Sequence, residues 1–215
     1  IANFSNKLNC SALFEPSVEQ VQTFMAIAAT LDQVDRPTCV IVRGIVGTGK
    51  TVLAMLLIRH LMERGKQPMY YVLSAAIKAC IQELDFFSSG RANTQYLIVD
   101  EAHRLGTTGL SQLVNDKRLT VFFIDDNQWL QPQENCRSHD IKQVAEDAGQ
   151  FVLELSLAKQ LRCQDANAYI AWVDSFINQS EITKLETAES FEVKVVDSPQ
   201  VMSELLNARA LGNTT

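Results

Sequence analysis

Apolar and polar positions along the chain fall into alternating stretches of helical and extended period. Val18, Val21, Phe24, Met25, Ile27, Ala28 and Leu31 recur at helical spacing, and Ser17 followed three residues later by Gln20 has the form of a capping box. This predicts a helix opening at Val18. The linker DQVDRPT leads to a short β-branched run at 40–42, a glycine-bearing turn, and a helical pattern rich in Leu, Met and Ala that ends near Arg64 with Gly65 as its stop. PMYYVLSAA reads as a second strand, AIKACIQELDFF as the helix after it and SSGRANTQ as a turn. YLIVDEAH (96–103) and VFFIDDNQ (121–128) share one design, a continuous apolar run closed by acids, with a loop and a short helix in LGTTGLSQLVNDKR between them. QFVLELSLAKQLRC is a further apolar segment. A helical stripe follows through Ala168, Trp172, Val173, Phe176 and Ile177, then a strand, FEVKVV, and a helix, PQVMSELLNARA.

Short strands that are apolar throughout, alternating with helices, predict an α/β fold: a parallel sheet buried on both faces by helices. Residues 1–164 form the first lobe on this reading, and 165–215 a connecting helix with the beginning of a second, incomplete lobe. In such sheets ligands bind beyond the carboxyl ends of the strands. Four polar signatures, GTGKT, LSAA, DEAH and DDNQ, all fall at those ends.

Composition changes this picture little. The 215 residues carry a net charge of −6, which argues against a surface that is one continuous nucleic-acid footprint while leaving room for a local basic strip. The five cysteines are odd in number and scattered, without a C-x-x-C pair, as expected of reduced thiols in an intracellular, cytoplasmic protein, with the nucleus left open. No apolar run approaches the roughly 18 residues of a membrane span, so no membrane partner is expected. The chain begins without Met and is expected to be a trimmed chain or an internal fragment.

The chemistry starts at GIVGTGKT, residues 44–51, which meets every fixed position of the phosphate-loop pattern G-x-x-x-x-G-K-[ST]. Gly44, Gly47 and Gly49 let the backbone curl, together with Thr48, so that successive N–H groups face phosphate oxygens, and the helix starting near Lys50 adds its positive end. Lys50 supplies a point charge to the β- and γ-phosphates, and Thr51 offers a hydroxyl to Mg²⁺. Asp100 is placed to hold that Mg²⁺ and Glu101 to orient and deprotonate the attacking water. Asp125, Asp126 and Gln128 close the other acidic strand near the same crevice, where the Gln128 amide can touch both the γ-phosphate and the water; an ordinary strand-to-loop turn accounts for the same letters. Arg162, in KQLRC, can serve as an arginine finger or in a surface ion pair. His60 lies in the phosphate-loop helix, and Cys136 with His139 makes an isolated C-x-x-H in a polar loop, short of the four ligands of a zinc site.

In that order, GIVGTGKT, VDEAHR, FFIDDNQ and QLRC resemble the ATPase motifs of superfamily I DNA/RNA helicases. More narrowly, VDEAHRL, FFIDDNQWLQP and QLRC followed by YIAWVDSFI resemble the schlafen-type helicase domain and its bacterial and phage relatives. The resemblance covers most of residues 18–200. It implies a P-loop NTPase lobe of RecA-like form, ATP and Mg²⁺ as cofactors, and single-stranded DNA or RNA as partner. Lys50 and Thr51 then bind phosphate and Mg²⁺, Asp100 and Glu101 form the second motif, Gln128 belongs to the third and Arg162 to the fourth. Gln20, with Gln22 as the neighbouring alternative, takes the place of the glutamine that reads the adenine edge. Ser74 and Lys78 occupy the place where such enzymes touch single-stranded nucleic acid. Apart from the resemblance, Trp129 is the aromatic candidate to stack on a strand, and a core position accounts for it equally. Two departures stand out: the connections around VDEAHR are short for this family, and the chain ends after what reads as the first strand and helix of the second lobe. A second lobe or a nuclease in the full-length parent is therefore expected. The leading reading is a Mg²⁺-dependent ATPase of helicase or translocase type; the alternative is a nucleotide-gated P-loop switch that controls a partner or attached nuclease without translocation.

Overall fold

Ser17 begins the first helix as its spacing requires. Its hydroxyl accepts the Gln20 N–H at 3.2 Å while the Gln20 side chain accepts the Ser17 N–H at 2.8 Å, so two donors of the first turn are satisfied reciprocally. This is α1, Val18–Gln33, in a computed structural model that describes residues 16–73, 94–128, 131–159, 161, 169, 171–173, 175, 194 and 196–212. Ser17→Ala is expected to lower the unfolding free energy by about 1 kcal/mol, read from the midpoint of a urea titration at unchanged slope.

The chain then forms β1 (Thr38–Gly44), α2 (Lys50–Glu63), β2 (Pro68–Val72), β3 (Tyr96–Asp100), a 3₁₀ turn (Ala102–Arg104), α3 (Leu110–Val114), β4 (Leu119–Ile124), α4 (Ser138–Asp147) and β5 (Phe151–Leu157). α2 stops as expected. Gly65 takes φ +70°, and the N–H groups of Gly65 and Lys66 turn back to the carbonyls of Met62 and Leu61, which closes the helix with a Schellman pair of hydrogen bonds.

The strands form one five-stranded sheet in the order β2-β3-β4-β1-β5, with every pairing parallel. The connection from β1 runs to the β2 edge, whereas those from β3 to β4 and β4 to β5 run the other way. Right-handed crossovers in opposite directions place their helices on opposite faces, and the core divides accordingly. Val40, Val42, Val121 and Phe123 pack with α1 and α2 through Ile27, Leu53, Leu57 and Leu61. Cys39, Ile41, Phe122 and Ile124 pack with α3 and α4 through Leu110, Val114, Ile141 and Ala145. The alternation along β1 and β4 thus feeds two cores, which is why both strands carry continuous apolar runs, Cys39–Val42 and Val121–Ile124. The α/β expectation, a parallel sheet covered on both faces, holds.

One element departs from the sequence reading. His139 lies in the first turn of α4, where a polar loop was expected, and its Nε2 sits 3.2 Å from Oδ1 of Asp140. The helix SHDIKQVAED buries Ser138, Ile141 and Ala145 and packs Val144 partly beside them; its apolar positions recur at helical spacing, but over little more than one turn.

The chain divides into two compact units, residues 1–162 and 163–215. In the second, Tyr169, Ala171, Trp172, Val173 and Ser175 are helical, and α5 spans Pro199–Gly212. The remainder of the stripe through Ala168, Phe176 and Ile177, most of FEVKVV, and the whole AIKACIQELDFF segment lie outside the described residues. Among the described residues no helix is long and apolar enough to cross a membrane.

Candidate functional site

Because the connections leaving β1 and β4 run to opposite sides of the sheet, a crevice opens beyond the carboxyl ends of these strands. The glycine turn 44–51 follows β1 directly into this crevice. Gly47 and Gly49 take φ of +84° and +81°, the left-handed region that glycine enters without steric cost. Gly49 is also the residue from which α2 departs, so the turn ends on the N-terminus of a 14-residue helix and its positive dipole end.

Lys50 is largely buried, and its ammonium donates to the carbonyls of Gly44 at 2.6 Å and Ile45 at 3.1 Å. These contacts draw the ammonium across the mouth of the turn. Thr51 Oγ1 donates to Oδ2 of Asp100 at 2.7 Å. This single contact joins the phosphate-loop helix to the end of β3, although β4 separates β3 from β1 in the sheet.

Asp100 is fully buried. Its Oδ2 also accepts the Tyr70 hydroxyl at 2.7 Å, and its Oδ1 accepts the Glu101 N–H at 3.0 Å. Burial pushes its carboxyl above the ordinary value, and the hydrogen bonds from Tyr70 and Thr51 pull the other way. Burial beside that carboxylate also raises the Tyr70 phenol well above its ordinary range, so it stays a protonated donor.

Glu101 adopts φ +56°, a left-handed conformation that costs a non-glycine residue on the order of 1 kcal/mol. The turn points its carboxylate toward His103, whose Nε2 lies 3.0 Å from Oε2. Nδ1 of the same buried imidazole accepts the Asp125 N–H at 3.4 Å, so the ring proton sits on Nε2. The approach falls short of a well-aligned hydrogen bond and is a close polar contact between the ring N–H and the carboxylate. Contact with His103 is the main influence holding the Glu101 carboxyl below its ordinary value; partial burial opposes it, and the charges of Lys50 and Arg104 add to it. His103 therefore bridges the acidic end of β3 and the end of β4.

At that second strand end the Gln128 N–H donates to the Asp125 carbonyl at 3.1 Å, closing a turn, and the Asn127 N–H reaches Asp125 Oδ1 at 3.1 Å. Asp126 turns away from the crevice and takes the N–H and hydroxyl of Ser138 at 2.8 and 2.7 Å, anchoring the start of α4. Gln128 thus belongs to the turn that follows β4, the strand lying between β1 and β3.

Gln20 is almost fully buried and stands behind the glycine turn. Its Nε2 donates to the carbonyls of Thr48 and Gly49 at 3.2 and 3.4 Å, and its Oε1 is held by Ser17. The amide that the resemblance assigns to an adenine edge is committed to protein on both sides. Gln22 is exposed. The neighbouring Glu19 accepts the N–H groups of Ala158 and Lys159 at 2.8 and 3.0 Å, and Leu161 N–H reaches the Gly47 carbonyl at 2.9 Å. The start of α1 and the segment after β5 therefore grip the phosphate loop together. Arg162, Ser74, Lys78 and Trp129 lie outside the described residues.

The structure thus brings Lys50, Thr51, Asp100 and Glu101 into one crevice, with Gln20 and Thr48 packed behind the turn. Tyr70 and His103 were not singled out from sequence. Tyr70 is one apolar-looking position in PMYYV, and His103 is one letter of DEAH; only their burial beside Asp100 and Glu101 marks them. Among the described residues no group of three or more His, Cys, Asp and Glu could hold a metal alone. Cys39 and Cys136 are free thiols that burial pushes up to about 12, far from the thiolate form that reacts or binds metal.

No curated protein matches the chain. Among solved structures it is similar to AMPPCP-bound DnaA from Aquifex aeolicus, at 16% identity and a TM-score of 0.44 over 82% of this chain and 59% of that one. It is also similar to a DNA replication initiation factor, at 14% identity and 0.45 over 93% and 63%. Domain III of the Thermotoga maritima replication initiation protein DnaA follows at 14% identity and 0.43 over 80% and 75%. The chain spans less than two thirds of the length of the first two, and likenesses this distant carry no functional assignment. The model of the family described as schlafen group 3, DNA/RNA helicase domain, matches residues 73–215. That stretch starts beyond the phosphate loop and includes the acidic ends of β3 and β4. With about two thirds of its residues matched, the chain belongs to the schlafen group 3 DNA/RNA helicase domain family.

Proposed function

We propose that the chain is the ATP-binding and ATP-hydrolysing core of a superfamily I-type nucleic-acid helicase or translocase. The observation that carries this reading is the 2.7 Å contact between Thr51 and Asp100 beside the buried Lys50. A hydroxyl and a carboxylate at the mouth of a glycine turn are hard oxygen donors. They suit Mg²⁺, which takes one or two protein carboxylates or hydroxyls and completes its shell with water and substrate phosphates. When bound, Mg²⁺ neutralises charge on the phosphates.

The chain's residues then divide the work. The N–H groups of residues 44–51 and Lys50 hold the β- and γ-phosphates, Thr51 and Asp100 hold the cation, and Glu101 takes the proton of the attacking water. Gln128 sits where it can sense the γ-phosphate, and Arg162 supplies a second positive charge. Residues 1–164 form the ATPase lobe, 165–215 a connecting helix and the beginning of a second lobe, and single-stranded DNA or RNA is the track. ATP turnover measured with and without single-stranded DNA or RNA tests the motor. Stimulation supports it, whereas slow turnover indifferent to both polymers removes it and leaves a nucleotide-gated switch.

His103 enters this scheme by holding Glu101. His103→Leu keeps the volume of the buried ring and removes the donor. Turnover is expected to fall about tenfold, at the low end of what the partner of a catalytic group contributes. The acidic limb of the pH–rate profile should also move to higher pH. The direction follows from the shift: His103 lowers the Glu101 pKa, its loss raises that pKa, and a base must be deprotonated to act. A limb that stays in place would remove His103 from this role.

A further inference from the structure

We propose that Tyr70 is a positioning residue for divalent-cation binding: its phenol fixes the Asp100 carboxylate in the orientation from which Asp100 and Thr51 hold the cation of a bound nucleotide. This rests on the phosphate-site reading above and adds to it a residue from within β2, ahead of the LSAA signature that follows the strand.

The parallel register pairs Tyr70 with Ile98 and Val72 with Asp100, so Tyr70 stands two residues back from the partner of Asp100, on the same face of the sheet. A phenol is long enough to cover that offset, and its hydroxyl ends 2.7 Å from Asp100 Oδ2. The same oxygen accepts Thr51 Oγ1 at 2.7 Å, and Oδ1 accepts the Glu101 N–H at 3.0 Å. Three donors from three separate segments thus define the carboxylate plane. Asp100 has no exposed surface and Tyr70 almost none, so losing the phenol leaves a buried carboxylate short of one donor.

Of the three donors, Thr51 is the one assigned to the cation, and its hydroxyl has a single hydrogen to give. The Glu101 N–H is fixed by the backbone. Tyr70 is the side-chain donor that acts on Asp100 without being a ligand itself. Partners of this kind set ligand orientation, and their loss typically costs 10–100-fold in metal affinity. Phenylalanine preserves the ring, which packs in the α2-side core with Val72, Ile98 and Leu53. The adjacent Tyr71 points to the opposite face and packs against the other cluster, which makes Tyr71→Phe the matched control.

The test uses Mn²⁺ as the probe, with free Mn²⁺ counted by electron paramagnetic resonance in the presence of a non-hydrolysable ATP analogue. Binding of the analogue is measured separately in EDTA. The proposal expects Tyr70→Phe to weaken Mn²⁺ binding about tenfold or more, with analogue binding in EDTA within about twofold of the parent and Tyr71→Phe unchanged. Unchanged Mn²⁺ affinity overturns it. Equal losses with and without metal also overturn it, because they report general damage to the site. In an Asp100→Asn background the Tyr70→Phe change should add no further loss of Mn²⁺ affinity, and an added loss overturns the claim that Tyr70 acts through Asp100. This arm stands even where the single variant fails to fold, since Asn removes the buried charge that needs the phenol. A parent protein that binds no analogue at all brings down the phosphate-site reading itself, a result distinct from loss of metal binding alone.

Discussion

Glu101→Gln leaves ATP bound at close to the parent affinity and slows its hydrolysis by about 10²–10⁴-fold, the range that a positioned general base contributes. The separation of binding from turnover follows from where the contacts lie. On the proposed reading Lys50, Thr51 and the N–H groups of residues 44–51 face the phosphates, whereas the Glu101 carboxylate leaves β3 in a left-handed turn toward His103. Glutamine has the same shape and still occupies the turn, so the strain at φ +56° and the N–H donated to Asp100 are both kept. What it loses is the ability to take a proton. The carboxyl of Glu101 lies below its ordinary value, so at neutral pH it is a ready base and the substitution removes an active group. The expected loss corresponds to about 3–5 kcal/mol of transition-state stabilisation. Phosphate release under saturating ATP and the dissociation constant of a fluorescent analogue measure the two halves. Turnover equal to the parent's would take Glu101 out of the mechanism, and an equal loss of binding would make it a structural residue.

Much of this arrangement is legible in the letters alone, for a physical reason that differs by region. The central strands β1, β3 and β4 have both faces buried, so each carries a continuous apolar run, 39–42, 96–99 and 121–124, that ends abruptly in Arg43-Gly44, Asp100 and Asp125. An abrupt end of that kind marks both the strand and the site. The phosphate loop is legible because glycine is required where φ is positive, at Gly47 and Gly49. α4 escaped although Ile141, Val144 and Ala145 recur at helical spacing, because that stripe covers little more than one turn among polar residues, among them Ser138 held by Asp126.

Tyr70 and His103 escaped for another reason. Each acts through an atom at the end of an otherwise apolar, buried ring, and sequence shows the ring's setting but not what its polar end meets. Gln20 illustrates the reverse case. Its capping-box role is local and was readable, while its grip on Thr48 and Gly49 joins positions 28 and 29 residues apart and needs the tertiary fold.

Lys50→Ala is the second large expectation: affinity for ATP falls about 10²-fold, while the fold remains. A charge-assisted hydrogen bond contributes about 1.5–3 kcal/mol, and an ammonium facing two phosphates in a partly dewatered turn stands at the upper end of that range, which corresponds to the stated loss. Stability is governed by different contacts. The Lys50 ammonium is bound to the Gly44 and Ile45 carbonyls, but the turn itself is held by groups that the substitution leaves alone. These are the Gln20 amide on Thr48 and Gly49, the Thr48 hydroxyl on the Ile45 carbonyl, and the Leu161 N–H on the Gly47 carbonyl. Removing the lysine also removes a cation from a largely buried position, which offsets part of the lost bonding. The melting temperature should therefore shift by only a few degrees while binding, followed by titration calorimetry, is lost. Arginine should restore little, because a planar five-donor fork does not fit the point-charge position held by an ammonium against two adjacent carbonyls. ATP affinity unchanged in Lys50→Ala would mean that the turn after β1 is not where the phosphates lie, and the roles given to Thr51, Asp100 and Glu101 would fall with it.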